Sequence, residues 1–269
     1  MESIWNELDN LTKYYKTLNL ENAIDYKRFN LYSNVHHSTS IEGSTLTEGE
    51  TEILLDKGLT AEGKPLEHSL MVKDCYDALV FAIEESKTKT PLSPDFLKKL
   101  NSIVMKTTGA INKHILGEFD TSKGEYRLSA AFAQGGGYYL SPEKIPGAVI
   151  NFCNEVNKRI DSAQNIEDQY KLSFDVHFNL VSIHPWGDGN GRTCRLAMNY
   201  IQLYYGIPLT KVYSNDRNQY IEALKQTRAK EDIDIFRDFM RGQQIKFLNE
   251  KINEYENSQK KSSGMTFLF

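Results

Sequence analysis

The chain has 269 residues, 40% of them hydrophobic and 25% charged, which affords one large or two small cores and excludes wholesale disorder. Its net charge is −4, which argues against a broadly basic surface for nucleic acid or a polybasic membrane contact. Cys75, Cys153 and Cys194 are odd in number and far apart, so neither a disulfide framework nor a zinc site is indicated.

The opening MESIWNELDN lacks a basic stretch followed by an apolar run, so it does not read as a secretory signal. The longest apolar stretch, Ala78–Ile83, is too short to span a bilayer. The expected setting is a reducing cytoplasm, a signature shared by proteins injected into host cells.

Helical periodicity dominates the elements. The first predicted helix runs over Leu20–Glu42 and stops at Gly43. Thr47 and Glu50 fit a capping box, starting a short helix that ends at Gly58. The next covers Leu66–Ser86. There Met71, Cys75, Ala78, Leu79 and Ala82 share the face read as the core side, and Leu70, Asp74, Asp77 and Phe81 the other. Ser93 caps and Pro94 opens a helix to Thr107, with Gly109 beyond it. Glu125–Leu140 loses the helical period, and Gly135–Gly137 separates two short aromatic or apolar runs. It reads as a β-hairpin or extended flap with a mobile tip. Further helices are predicted over Lys144–Ile160, Glu167–Ile183, Gly191–Tyr205, Arg217–Ala229 and Asp232–Tyr255, with Gly206 as a stop. The tail, Ser258–Phe269, reads as frayed or docked on a partner.

The densest chemistry is HPWGDGNGRTCR, His184–Arg195. Pro185 disfavours the helical conformation at His184, so the helix ends there and His184 sits at the lip of a turn. Gly187, Gly189 and Gly191 permit positive φ and close backbone approach. Successive N–H groups in such a turn form a concave anion nest, and the next helix, starting near Asn190, adds its positive end. Arg192 and Arg195, three apart, are expected on a face near that pocket. Asp188, a lone carboxylate there, suits Mg²⁺ shared with phosphate oxygens. No Gly-Lys-Ser/Thr ending makes this a Walker loop, and no strand precedes it as a dinucleotide fingerprint requires.

The segment resembles the signature of the Fic (filamentation induced by cAMP) family, H-P-F-x-D-G-N-G-R-x-x-R, with Trp186 in place of the usual Phe. The resemblance implies an all-α fold: a Fic-type helical core with a small β-hairpin flap and an N-terminal helical extension. It implies transfer of AMP from ATP to a Ser, Thr or Tyr hydroxyl of a target protein. In the matching roles His184 takes the hydroxyl proton, Asp188 holds Mg²⁺, and Gly187, Gly189, Asn190 and Gly191 cradle phosphates. Arg192 and Arg195 then neutralise the β- and γ-phosphates. The Doc-like kinase branch has Lys where Gly191 stands, which favours nucleotidyl transfer here. The flap resembles the family's target-docking edge, with Arg127, Ala131, Phe132 and Ala133 as docking residues. Tyr220, in RNQYIEAL, matches the aromatic that closes the adenine pocket, or is ordinary helix packing.

Glu42 carries its own oddity, an anion at the negative end of a helix, for which an arginine elsewhere is a natural compensation. Ser38-x-x-x-Glu42-Gly43 resembles the inhibitory motif of self-inhibited Fic proteins, which implies that Glu42 pairs with Arg195 and blocks ATP alignment. De-adenylylation and a kinase-like variant stand as alternatives. The expected organisation is an N-terminal extension with the inhibitory motif over 1–65, a catalytic core over 66–230, and a C-terminal helix and tail over 231–269. Expected partners are ATP and a target protein, with no nucleic acid and no membrane. Self-modification and a homodimer stay open.

Overall fold

The structure, a computed structural model, describes residues 4–20, 24–132 and 138–263. Its architecture follows from one central helix, α8 (Asn190–Tyr205), which is buried on every side from Arg192 to Gln202. Such a helix needs partners for its polar residues as well as its apolar ones. Asn199 donates to the Thr210 carbonyl at 2.9 Å, and Gln202 to Thr210 Oγ1 at 2.8 Å, so the chain leaving α8 folds back against it. Around α8 pack α4 (Leu66–Lys87), α5 (Pro94–Val104) and α7 (Ile166–Ile183), with α6 (Ile145–Ile160) outside α7. α2 (Ile24–Ile41) and α3 (Glu48–Lys57) cover α4. α9 (Arg217–Lys230) and the long α10 (Ile233–Ser263) close the other side.

Local rules account for most boundaries. α3 starts on the expected capping box, with Thr47 N–H donating to Glu50 at 2.7 Å and Glu50 N–H to Thr47 Oγ1 at 3.2 Å. It stops at Gly58 in the left-handed conformation. α5 ends three residues before the expected Thr107, because the Thr107 N–H and hydroxyl both turn to Asp74, each at 2.7 Å. That bond also corrects the reading of α4: Asp74 is 1% exposed, on the core side rather than the opposite face.

Two elements lie outside the sequence reading. α1 (Asn6–Thr17) buries Leu8, Thr12 and Tyr15 against α10 and α7. Its stripe was legible in sequence, since Leu8, Leu11 and Tyr15 recur at helical spacing. The regular two-stranded sheet is β1 (Ile111–His114) with β2 (Gly117–Asp120), antiparallel with His114 opposite Gly117. Glu125–Leu140, read as a β-hairpin or extended flap, takes the second form, with two isolated bridges, Tyr126 with Trp186 and Phe132 with Tyr138. Tyr139 N–H donates to the Ala131 carbonyl at 3.0 Å, so the arms do run antiparallel. The glycine tip and Ala133 fall outside the described residues. Among the described residues no helix is long and apolar enough to cross a membrane.

Candidate active site

The site forms where α7 breaks into α8. His184 ends α7 at φ 53°, ψ 63°, a left-handed conformation outside both the α region that Pro185 disfavours and the extended one it favours. Its N–H still closes the last turn onto Leu180 at 3.1 Å. Its carbonyl receives Arg127 Nε at 2.8 Å. Arg127 is 1% exposed, and its two remaining nitrogens donate to Ser129 and Leu140, one carbonyl on each arm of the flap. The expectation of Arg127 at a docking surface is therefore corrected: it staples the flap to the turn from inside. Ala131 and Phe132 lie on the flap's first arm, and Phe132 is 67% exposed.

Trp186 is fully buried and donates its indole N–H to the Gly124 carbonyl at 3.1 Å, a bond that a phenylalanine could not make. Asn190 closes the turn upon itself, accepting Trp186 N–H at 3.1 Å and donating to the Trp186 carbonyl at 2.8 Å. Its side chain thus shapes the loop and is not free to meet a ligand. Gly189 takes φ 76°, and a Cβ there would strike Asn101 and Met105. Gly187 lies against Phe119 of β2.

The two arginines diverge, contrary to the expected shared face. Arg192 turns toward Met105, with Nη2 3.4 Å from Asp188 and its buried Nε and Nη1 without partners. Arg195 faces the other way, into a cleft of about 270 Å³ that also holds His184, Glu42, Gly191 and Tyr220. Its Nη2 meets Glu42 at 2.6 Å and the Ser38 carbonyl at 2.9 Å, and its Nε meets Ser38 Oγ at 2.9 Å. Gly43 follows with φ 107°, releasing the chain from α2. A side chain on Gly191 would fall onto the Glu42 carboxylate, so glycine is what lets that anion reach the positive end of α8. Burial alone would raise the Glu42 pKa, yet Arg195 beside it holds the carboxyl below its ordinary value.

Burial pushes the His184 imidazole down to about 4, with the Arg127 and Arg228 cations acting in the same sense. It is therefore a neutral base at pH 7, more so than an unperturbed imidazole. Tyr139 stacks on it at 3.9 Å, and Arg228 lies over Tyr139 at 5.1 Å with its Nε and Nη2 buried and unpartnered. Tyr220 is 2% exposed, too buried to offer a ring face to a nucleobase. Its hydroxyl lies 2.9 Å from His177 Nε2 and 3.5 Å from Arg195 Nη1, so it bridges the two. Asp188 projects outward, 66% exposed, accepting the Gly189 N–H. Among the described residues no three His, Cys, Asp or Glu side chains cluster as a metal site.

Four groups were not singled out from sequence: Tyr139, Arg217, Lys225 and Arg228, which all line the cleft. The three cations were legible, since spacings of eight and eleven return to one helical face. His177 was legible too, two turns before His184.

Residues 91–202 match the family model described as Fic/DOC. The chain is 27% identical over 193 residues to the protein adenylyltransferase Fic of Aedes aegypti, across 71% of this chain and 36% of the relative. It is likewise 27% identical over 200 residues to that of Nematostella vectensis, across 72% of this chain and 43% of the relative. The chain thus spans less than half the length of these relatives. A Fic-domain-containing signaling protein from Bacteroides thetaiotaomicron superposes with a TM-score of 0.77 at 25% identity, over 90% of this chain and 95% of that one. A Fic-1 fragment from C. elegans superposes at 0.76 with 22% identity, over 94% of this chain and 73% of that one. The helical fold and the glycine-rich turn between α7 and α8 agree with these matches: residues 91–202 are similar to the Fic/DOC family.

Proposed function

We propose that the chain is a protein adenylyltransferase that moves AMP from ATP to a hydroxyl of a target protein and is held inactive by its own Glu42. The observation that carries the reading is the cleft itself: a half-buried, neutral His184 shares it with four cations, Arg195, Arg217, Lys225 and Arg228. That cleft suits a polyphosphate, and its one acid is Glu42. The adenylyltransferase names of the curated relatives support the same reading.

In this scheme the target hydroxyl oxygen attacks the α-phosphorus while its proton passes to His184. The bond from the α-phosphorus to the bridging oxygen breaks, and pyrophosphate leaves. His184 works as a general base, and the guanidiniums hold charge that grows on the phosphate oxygens. Arg192, with two buried donors unpaired, supplies further charge beneath the turn. Mg²⁺, when bound with the nucleotide, would neutralise phosphate charge. Asp188 fits such an ion as a single exposed carboxylate, the other ligands being phosphate and water. Glu42 opposes catalysis by holding Arg195 and occupying the anion site at the start of α8. The flap arm at Ala131 and Phe132 is the proposed docking edge, since strand addition needs exposed backbone.

Labelling with α- and γ-labelled ATP in parallel, with magnesium, tests this. Only the α label should enter protein, the enzyme's own chain included. Glu42→Gly should raise incorporation roughly tenfold to a hundredfold, the worth of one charge-assisted bond. His184→Ala on that background should abolish it. Transfer of the γ label instead would make the enzyme a kinase and end the proposal.

A further inference from the structure

A second cavity lies away from the cleft, at the far end of α8. It measures about 190 Å³ and is enclosed by Tyr15 of α1, Leu31 and Asn34 of α2, Leu203 of α8, and Phe247 of α10, with Lys211 in its wall. Leu203 is twelve residues beyond Gly191, roughly 18 Å along the helix. The two sites therefore share no lining residue.

Lys211 is out of place among these apolar walls. It is 6% exposed, and its ammonium donates to a neutral acceptor, Ser33 Oγ, at 2.8 Å. Among the described residues no carboxylate pairs with it at ion-pair distance. The Tyr213 and Phe247 rings lie 4.5 and 5.4 Å from the nitrogen. Burial lowers its pKa to about 8, with Glu250, Glu48 and Glu254 acting in the opposite sense and Lys251 in the same one, none of the three carboxylates at ion-pair distance. A buried ammonium usually has a carboxylate partner, because desolvation is otherwise poorly compensated. The cavity has room for a short chain and no more. Its single cation and apolar walls do not suit a nucleotide.

We propose that this cavity is a binding site for a short unbranched monocarboxylate, with the carboxylate on Lys211 and the chain against Leu31, Leu203 and Phe247. The site is independent of the proposed catalytic reading, since no cleft residue enters it.

The test is calorimetric titration and thermal melting of the full chain with hexanoate, with hexanol as the uncharged control. Hexanoate should bind one to one, raise the melting temperature, and bind about tenfold or more tighter than hexanol, as a charge-assisted bond requires. Lys211→Met should lose that difference. Leu31→Trp, which fills the cavity from α2 and leaves Lys211 in place, should lose hexanoate binding. If Lys211→Met does not fold, the Leu31→Trp variant decides alone. Absence of hexanoate binding to the wild type, equal binding of hexanol, or undiminished binding by either variant would overturn the assignment.

Discussion

His184 departs from α7 in the left-handed region, a conformation that costs a non-glycine residue about 1–3 kcal/mol. The Arg127 bond to its carbonyl and the Tyr139 ring on its imidazole offset that cost and fix the ring's direction. The residue two beyond makes a comparable point. Trp186→Phe keeps the buried ring but leaves the Gly124 carbonyl without its indole donor. Stability should fall by about 1 kcal/mol in urea titration, with the fold retained by circular dichroism. An unchanged midpoint would mean that water replaces the indole. Tyr220→Phe should do more, since it leaves His177 and Arg195 each short of a partner. In a Glu42→Gly background it should raise the KM for ATP several-fold with kcat less affected. An ordinary packing role would leave KM unmoved. Much of this was legible in sequence. The Glu42 partner follows from helix polarity and a motif, and His184 follows from Pro185. Tyr220's contacts were not legible, because neither a motif nor a period says where a hydroxyl points.

At the scale of elements, the helices that carry punctuation match the sequence reading, as α3 between Thr47 and Gly58 shows. The strands do not. The glycine run drew attention to the flap, while the regular hairpin formed over 111–120, where Gly117 at φ 132° follows a two-residue loop. Short strands pair through backbone, and their side chains give little notice of it. The flap depends on tertiary bonds instead, chiefly Arg127. Arg127→Ala should free both arms. Limited proteolysis should then cut faster between residues 128 and 140, and labelling of a target should fall while ATP binding holds. Loss of ATP binding in step with labelling would assign Arg127 to the nucleotide instead.

The whole molecule carries a pH dependence built from buried imidazoles. Burial lowers His37 and His177 to about 3 and His184 to about 4. All lie below the ordinary value of about 6.5, so between those limits the unfolded chain binds more protons than the folded one. Stability must therefore rise with pH through this window and be lost on acidification below about 6.5. For His177, fully buried, the loss by pH 5 is about 2 kcal/mol. Urea midpoints should drop between pH 7.5 and pH 5, and a His177→Gln variant should show a shallower drop. A flat profile would mean these imidazoles are solvated. None of this was visible in composition, which reports six histidines and not their surroundings.

Every nitrogen of the Arg195 guanidinium is already engaged, by Ser38, Glu42 and Tyr220. Under the proposed function, phosphate must then compete with a carboxylate tethered to the same chain. A tethered rival has a fixed effective concentration, which neither dilution nor expression level alters. Basal output per molecule would thus be insensitive to how much enzyme a cell makes, and would respond to nucleotide supply. Whatever loosens α2 would act as a change in that internal concentration, without touching a catalytic group.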